Sequence, residues 1–249
     1  MRKPTRAPST GADPALVPSP NIWRWPELYE VENQAQDCTG AIWAVLREHC
    51  DWAGRDVVDI GCGDGFHLPL FATEARAVVG IEPHPSLAAR ARERADGNPA
   101  VQVRTAAAQH LPLEPESVDL VHARTAYFFG PGCEPGLREA ERVLRPGGVL
   151  AIVDLDASCP PYGEWMRADS PDHDAHACDG FFELRGFRND RVRTLWRFDD
   201  RSCLEAVLGI EFSRKVARRA IARTPGRTLP VGYVVRTRRK AEGSEPVRG

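Results

Sequence analysis

From about residue 55 onward, short apolar runs alternate with amphipathic stretches. The apolar runs are rich in valine and isoleucine and fall at 56–60, 77–81, 101–103, 118–123 and 149–153. Helix-like patterns fill 68–74, 86–95 and 135–144. Runs that are apolar throughout suit strands buried on both faces, as in a parallel sheet covered by crossover helices. The pattern therefore predicts an α/β fold, a Rossmann-like doubly wound sheet with helices on both faces. Pro146-Gly147-Gly148 reads as a turn into the fifth strand.

The flanks differ in rhythm. Residues 1–20 hold five prolines among small polar residues and read as a flexible tail, as do residues 241–249. Between them, 21–240 is expected as one domain. Its first part, 21–50, brings Trp23, Trp25 and Tyr29 ahead of an amphipathic helix over 32–50 with Ile42, Val45 and Leu46 on one side. Residues 155–180 are rich in Pro, Asp, His and Gly and read as an irregular insertion. A helix near 180–185, a strand near 191–198, a helical insertion over 201–223 and a final strand at 231–237 complete the chain. The final strand is expected to run antiparallel to an otherwise mostly parallel sheet.

Composition narrows the class but not the chemistry. With 42% hydrophobic and 27% charged residues and a net charge of −2, the chain resembles an ordinary soluble protein. No run has the apolar length of a membrane span, and the first residues lack the core of a secretion signal, so a cytoplasmic location is expected. The seven cysteines are scattered, without a Cys-x-x-Cys pair, and read as reduced thiols. Between Ser213 and Lys240 lie ten Arg or Lys and no acid, against 23 basic and 35 acidic residues elsewhere.

The sharpest signal is Asp59-Ile60-Gly61-Cys62-Gly63-Asp64-Gly65, a glycine-rich turn that follows an apolar strand and opens a helix. Gly61 and Gly63 let the backbone turn and approach a ligand without a Cβ in the way. Glu82 ends the second apolar run and can accept both hydroxyl hydrogens of a ribose. Together these describe an adenosine site. A dinucleotide-binding loop asks for glycine at position 66, where this chain has Phe66, which argues against an NAD-dependent oxidoreductase.

The alternating glycines after Asp59 resemble motif I of the class I S-adenosylmethionine-dependent methyltransferases, of the methyltransferase type 11 kind. Further motifs follow in order across roughly 40–155. Val79-Gly80-Ile81-Glu82 resembles the ribose-binding second strand. Ala107-Ala108-Gln109-His110-Leu111-Pro112 resembles the segment that borders the adenine. Val118-Asp119-Leu120-Val121 resembles the fourth strand, and Arg142-Val143-Leu144-Arg145-Pro146-Gly147-Gly148 the turn into the fifth. The resemblance implies a methyltransferase that uses S-adenosyl-L-methionine and releases S-adenosyl-L-homocysteine. It places Asp59, Gly61, Cys62, Gly63, Glu82, Pro83, Ala107, Ala108, Gln109 and Ala123 around the cofactor. Ala107 departs from the family, which often has an acid there for the adenine amino group, so backbone at Ala108 and Gln109 is expected to serve instead.

A sulfonium methyl is already activated, so the protein mainly has to align an acceptor in line with the carbon–sulfur bond; proximity and orientation supply ~7–11 kcal/mol of such a barrier. His122, after the fourth strand, is the candidate general base, weighed against a plain wall role. Arg124 is a candidate to bind an acidic substrate group or, equally, a nearby carboxylate of the protein, and His67 to reach the methionine end of the cofactor or to serve a helix-capping or surface role. Trp23, Trp25, Tyr29, Arg124, Tyr127, Tyr162 and Trp165 are the candidate acceptor-binding residues. Asp169, Asp172, His173, Asp174, His176, Cys178 and Asp179 match no zinc spacing and read as a solvated loop rather than a metal site. The reading is a methyltransferase for a small-molecule acceptor, with no membrane or nucleic-acid partner. An RNA methyltransferase using the basic C-terminal stretch and a non-catalytic cofactor-binding regulator are the alternatives.

Overall fold

The computed structural model of the chain describes residues 19–126 and 130–242. The expected tails therefore lie largely outside the described residues, and Tyr127 lies wholly outside them. Ten helices and seven strands are described: α1 (Pro20–Arg24), α2 (Pro26–Ala35), α3 (Ala41–His49), β1 (Asp56–Ile60), α4 (Leu68–Ala72), β2 (Ala77–Ile81), α5 (Pro85–Arg94), β3 (Val101–Arg104), β4 (Val118–Arg124), α6 (Glu134–Val143), β5 (Leu144–Leu155), α7 (Tyr162–Asp169), α8 (Ala175–Glu183), β6 (Arg188–Arg197), α9 (Arg201–Glu211), α10 (Arg214–Arg223) and β7 (Thr228–Arg239).

The strands form one sheet in the order β3-β2-β1-β4-β5-β7-β6. The pairs β1–β2, β1–β4, β2–β3 and β4–β5 are parallel. Gly147 N–H donates to Lys240 at 3.0 Å, and Asp156 N–H donates to Gly232 at 2.8 Å. The start of β5 thus meets the end of β7, and its end meets the start of β7, so β7 runs antiparallel as expected. The order reverses at β1, which makes the carboxyl ends of β1 and β4 the switch point where open α/β sheets bind ligands.

Several local expectations change. The helix expected over 32–50 is two helices, because Asp37 has a left-handed φ of 46° and Gly40 one of 70°. Asp37 then starts α3 by accepting from Ala41 N–H at 2.9 Å and Ile42 N–H at 3.0 Å, a cap of the kind worth ~1 kcal/mol. The 155–180 segment is largely helical, because α7 and α8 each bury an aromatic face: Tyr162 and Trp165 on one, Phe181 and Phe182 on the other. The stretch 201–223 divides at Phe212-Ser213. Pro146-Gly147-Gly148 lies inside β5, and a register shift against β4 absorbs it.

The chain divides into two compact units, each assembled from separated stretches. The first comprises 1–42, 155–175 and 191–233, and the second 43–154, 176–190 and 234–249. The first unit is centred on aromatic rings. Tyr162 lies 5.2 Å from Trp196 and 5.1 Å from Phe212 between centroids, and Trp196 Nε1–H donates to Tyr233 Oη at 2.9 Å. Tyr162 O–H and Asn21 both donate to Glu211, at 2.7 and 2.5 Å. In the second unit, Val58, Ile60, Val121, Ala123, Leu150 and Ile152 from the strands join Leu137, Ala140 and Val143 of α6 and Phe182 of α8 in one buried cluster.

That second unit also buries charge. Arg236 of β7 bonds Asp154 of β5 at 3.1 Å and Asp179 of α8 at 2.7 Å, with all three residues under 9% exposed. Burial pushes the Asp154 carboxyl up to about 6 from an ordinary 3.8, against the pull of Arg236. The sign follows directly. Asp154 contributes its full stability below about pH 4, and that contribution is lost as pH rises to about 6. Ionising it at pH 7 costs about 3 kcal/mol. Asp154→Asn is therefore expected to gain stability over the natural chain as pH rises from about 4 to about 6.5, and to keep the gain above that. Denaturant melts across this range measure it. A difference that does not change with pH would contradict the account.

Candidate cofactor site

The site is built where β1 and β2 end. All three loop glycines have left-handed backbone, with φ of 70° at Gly61, 58° at Gly63 and 84° at Gly65. Gly61 and Cys62 N–H both donate to Ile81 O, at 2.8 and 3.1 Å, which folds the loop back on the end of β2. Glu82 finishes the lock. Its Oε2 accepts from Gly63 N–H at 3.0 Å, and its Oε1 accepts from His84 N–H at 2.8 Å. Burial raises the Glu82 carboxyl above its ordinary range, despite the two donors that favour its charge. A carboxylate offers about four lone pairs, so two bonds leave capacity for a ribose diol.

The left-handed turn expected of Gly61 is joined by a second reason for glycine there. A Cβ there would sit 2.9 Å from Ala126 Cβ, so the turn after β4 occupies the space a side chain would need. Gly80, inside β2, serves a similar end. Its absent side chain makes room for Cys62 Sγ and Leu68, which would otherwise come within 2.8 and 2.9 Å. Cys62 is buried, and burial among acids holds its thiol well above the ordinary value, so it fills space as a neutral group.

Beneath the loop, His122 Nδ1 bonds Asp59 Oδ1 at 2.7 Å across the β1–β4 register. The His122 ring is 0% exposed and its Nε2 has no hydrogen-bond partner among the described residues. Trp43 stacks on it at 6.0 Å and Phe71 meets it edge-on at 5.1 Å. Beside it, His67 is 5.5 Å from Trp43 and 5.1 Å from Phe66 between centroids, and its Nε2 lies 3.4 Å from Arg124 Nη1. Desolvation, then the charges of Arg124, His122 and Arg94, hold His67 well below the usual imidazole range. Trp43 escaped the sequence reading, which took Ile42, Val45 and Leu46 as the inward face of that helix.

Ala107, Ala108 and Gln109 are half-buried on the loop after β3, with Pro83 half-buried after β2. What fixes the 107–113 loop is Arg142 of α6, which donates to Leu111 O at 2.9 Å and Leu113 O at 2.8 Å. Its partner Glu139, at 2.7 Å, accepts from Leu111 N–H at 2.9 Å. The i,i+3 spacing of the two residues was visible in the sequence; their shared target 30 residues upstream was not. Ala123 lies buried in β4.

Of the acceptor candidates, Arg124 belongs to the second unit, where it is 9% exposed. The others described belong to the first unit. There Tyr162 and Trp165 are buried in the aromatic core, Trp23 and Tyr29 are half-buried, and Trp25 is exposed. Of the acidic and histidine residues of 169–179, Asp169 ends α7, His176 and Asp179 lie in α8, and Asp172, His173 and Asp174 lie on the connection between them. Asp169 accepts from Ser213 N–H at 3.0 Å, and Asp179 pairs with Arg236. Among the described residues no group of three or more His, Cys, Asp or Glu could hold a metal ion.

The site thus combines a doubly wound sheet with a glycine loop and a buried carboxylate at its switch point, the arrangement by which open α/β sheets hold nucleosides. Residues 58–152 match the family described as a methyltransferase domain. Over that stretch the chain is similar to S-adenosylmethionine-dependent methyltransferases, a likeness that implies S-adenosylmethionine as cofactor. An arsenite methyltransferase of Halobacterium salinarum is 35% identical over 123 residues, covering 47% of this chain and 32% of that protein. The 27-O-demethylrifamycin SV methyltransferase of Amycolatopsis mediterranei is 38% identical over 122 residues, covering 47% and 44%. The chain thus spans less than half the length of these curated relatives. Among solved structures, the YcgJ protein of Bacillus subtilis superposes with a TM-score of 0.59 at 18% identity, covering 81% of this chain and 98% of that one, a likeness of fold.

If Glu82 binds the ribose, Glu82→Gln should weaken S-adenosylhomocysteine and adenosine alike, by about tenfold or more, since each tenfold is about 1.4 kcal/mol. Titration calorimetry of both ligands decides it. Unchanged adenosine affinity in a folded variant would remove Glu82 from the ribose.

Proposed function

We propose that the protein transfers the methyl of S-adenosylmethionine to a small-molecule acceptor by in-line displacement at the sulfonium. The observation that carries the reading is the buried Glu82 carboxylate, which fixes the glycine loop through Gly63 and keeps acceptor capacity for a ribose. The bound cofactor supplies an activated methyl group. The chain's own part is to hold it: Glu82 toward the ribose, Ala107, Ala108 and Gln109 beside the adenine, and Asp59 with the glycine loop toward the amino-acid end. The likeness to an arsenite methyltransferase and a 27-O-demethylrifamycin SV methyltransferase supports a small acceptor. His122 is best assigned as the prop that orients Asp59, since its ring is enclosed by Trp43, Phe71 and His67. Alignment then supplies most of the rate enhancement.

A thermal shift with S-adenosylmethionine, S-adenosylhomocysteine and NAD tests the foundation. Both methionine-derived ligands should raise Tm in proportion to ln(1 + [L]/Kd), while NAD should not. A shift with NAD alone would overturn the reading.

A second reading, an RNA acceptor, draws on α10. Its buried side is Val216, Ala217 and Ala220, while Arg214, Lys215, Arg218 and Arg219 are all exposed on the other. Four cations tracking phosphates would give a log Kd that varies with log salt at a slope of about 3. Fluorescence anisotropy with a labelled RNA should instead show weak binding that Arg218→Glu/Arg219→Glu leaves unchanged. Micromolar binding with the steep slope, lost in that variant, would favour RNA.

A further inference from the structure

We propose that Glu32 and Glu211 share one proton, and that this proton clasps α1 and α2 onto α9 and releases them when it is lost. Three observations within the first compact unit converge on it. The first is the contact of two carboxyls. Glu32 of α2 and Glu211, the last residue of α9, hydrogen-bond side chain to side chain. An ionised carboxylate only accepts, so this bond exists only while one of the pair carries a proton. Glu32 is 3% exposed, and Glu211 is half-buried with its carboxyl the desolvated end. Two carboxylates in contact away from water cannot both stay ionised, and such pairs hold one proton between them.

The second observation is the surroundings of the pair. From α1, Asn21 Nδ2–H donates to Glu211 Oε1 at 2.5 Å, and from α7, Tyr162 O–H donates to Oε2 at 2.7 Å. Within α2, Gln36 Nε2–H donates to Glu32 Oε1 at 2.8 Å, while Glu30 accepts from Gln34 on the exposed side. The phenol of Tyr162 faces the pair, with Tyr233 of β7 beyond it. Every group acting on Glu211 is thus neutral or acidic. Desolvation raises its carboxyl above the ordinary range, against the pull of its donors Tyr162, Asn21 and Glu32. A raised carboxyl stabilises fully below its ordinary range and loses that contribution as pH rises through its folded value. The clasp therefore loosens on the alkaline side.

The third is how the far end of α2 is fixed. Thr194 O–H donates to Asp37 at 2.7 Å, Thr39 and Thr194 hydroxyls bond at 2.8 Å, and Cys38 N–H donates to Leu195 O at 3.0 Å. These bonds to β6 contain no group of the clasp. Asp37 and Gly40, with their left-handed backbone, interrupt the helix at the same place. Loss of the shared proton therefore frees α1 and α2 at one end while 37–39 stay anchored, which makes that segment a hinge.

Hydrogen-exchange mass spectrometry of the full chain between about pH 5 and about pH 9 tests it, with rates converted to protection factors to remove their intrinsic pH dependence. Protection over 20–35 should fall relative to β4 as pH rises, approaching tenfold per pH unit, the limit for one proton. Glu32→Gln supplies Glu211 with a permanent donor, and Glu211→Gln removes the second charge. Each should hold the protection of 20–35 relative to β4 within about twofold over the same range. Tyr162→Phe removes a donor that favours the charged form, so the fall should move to higher pH. A part that was merely structural would lower protection at every pH without moving the midpoint. No fall in the natural chain, a fall that persists in both glutamine variants, or a midpoint in Tyr162→Phe that stays or moves down would overturn the proposal. Should a glutamine variant not fold, the natural profile and the direction of the Tyr162→Phe shift decide it.

Discussion

The bond from Gly63 N–H to Glu82 joins two strand ends that the sequence separates by 19 residues. A glycine loop is entropically costly to order, because glycine surrenders more conformational freedom than any other residue. The costs are met by Ile81 O, which takes two loop N–H groups, and by Glu82, which takes a third. Without that brace the loop would have its sequence but not its shape. On the proposed reading the same carboxylate serves ligand and loop, so recognition and local stability are coupled at position 82.

Around this brace the second unit places supports of a similar kind. Arg142 and Glu139 clamp the 107–113 loop, and Asp59 and His122 tie β1 to β4. Each support is a side chain that satisfies backbone or a partner on another element, so the glycine loop and the 107–113 loop are held in place. Held loops need less reorganisation on binding, which is the physical content of preorganisation. The buried Asp154–Arg236–Asp179 group sits on β5, β7 and α8 and carries more negative than positive charge when Asp154 is ionised. Like Glu82, whose carboxyl burial also raises, Asp154 works against stability when ionised at neutral pH.

The strands were legible because buried parallel strands read as uninterrupted apolar runs, and β1 and β2 fall where those runs are. The glycine loop and Glu82 were legible because their spacing is a local property. What escaped was settled by distant partners. The first part of α8 read as a loop because 155–180 is rich in Pro, Asp, His and Gly, yet Arg236, 57 residues on, pairs with Asp179 while Phe181 and Phe182 are buried. The break at 36–40 was hidden because Asp37 takes a left-handed φ and is braced by Thr194 at 2.7 Å. His122 was legible as a residue of the site, but its enclosure depended on Trp43, which no periodicity singled out.

The contact between Gly61 and Ala126 has a consequence for how the site can vary. The space between the glycine loop and the β4 turn has room for a single methyl carbon, and Ala126 holds it. Two separate locks therefore guard position 61: the occupied volume and the left-handed φ of 70°. Moving glycine to position 126 would open the first and leave the second closed. The two loops form one steric compartment with one tenant, and a change on either side is a change to both.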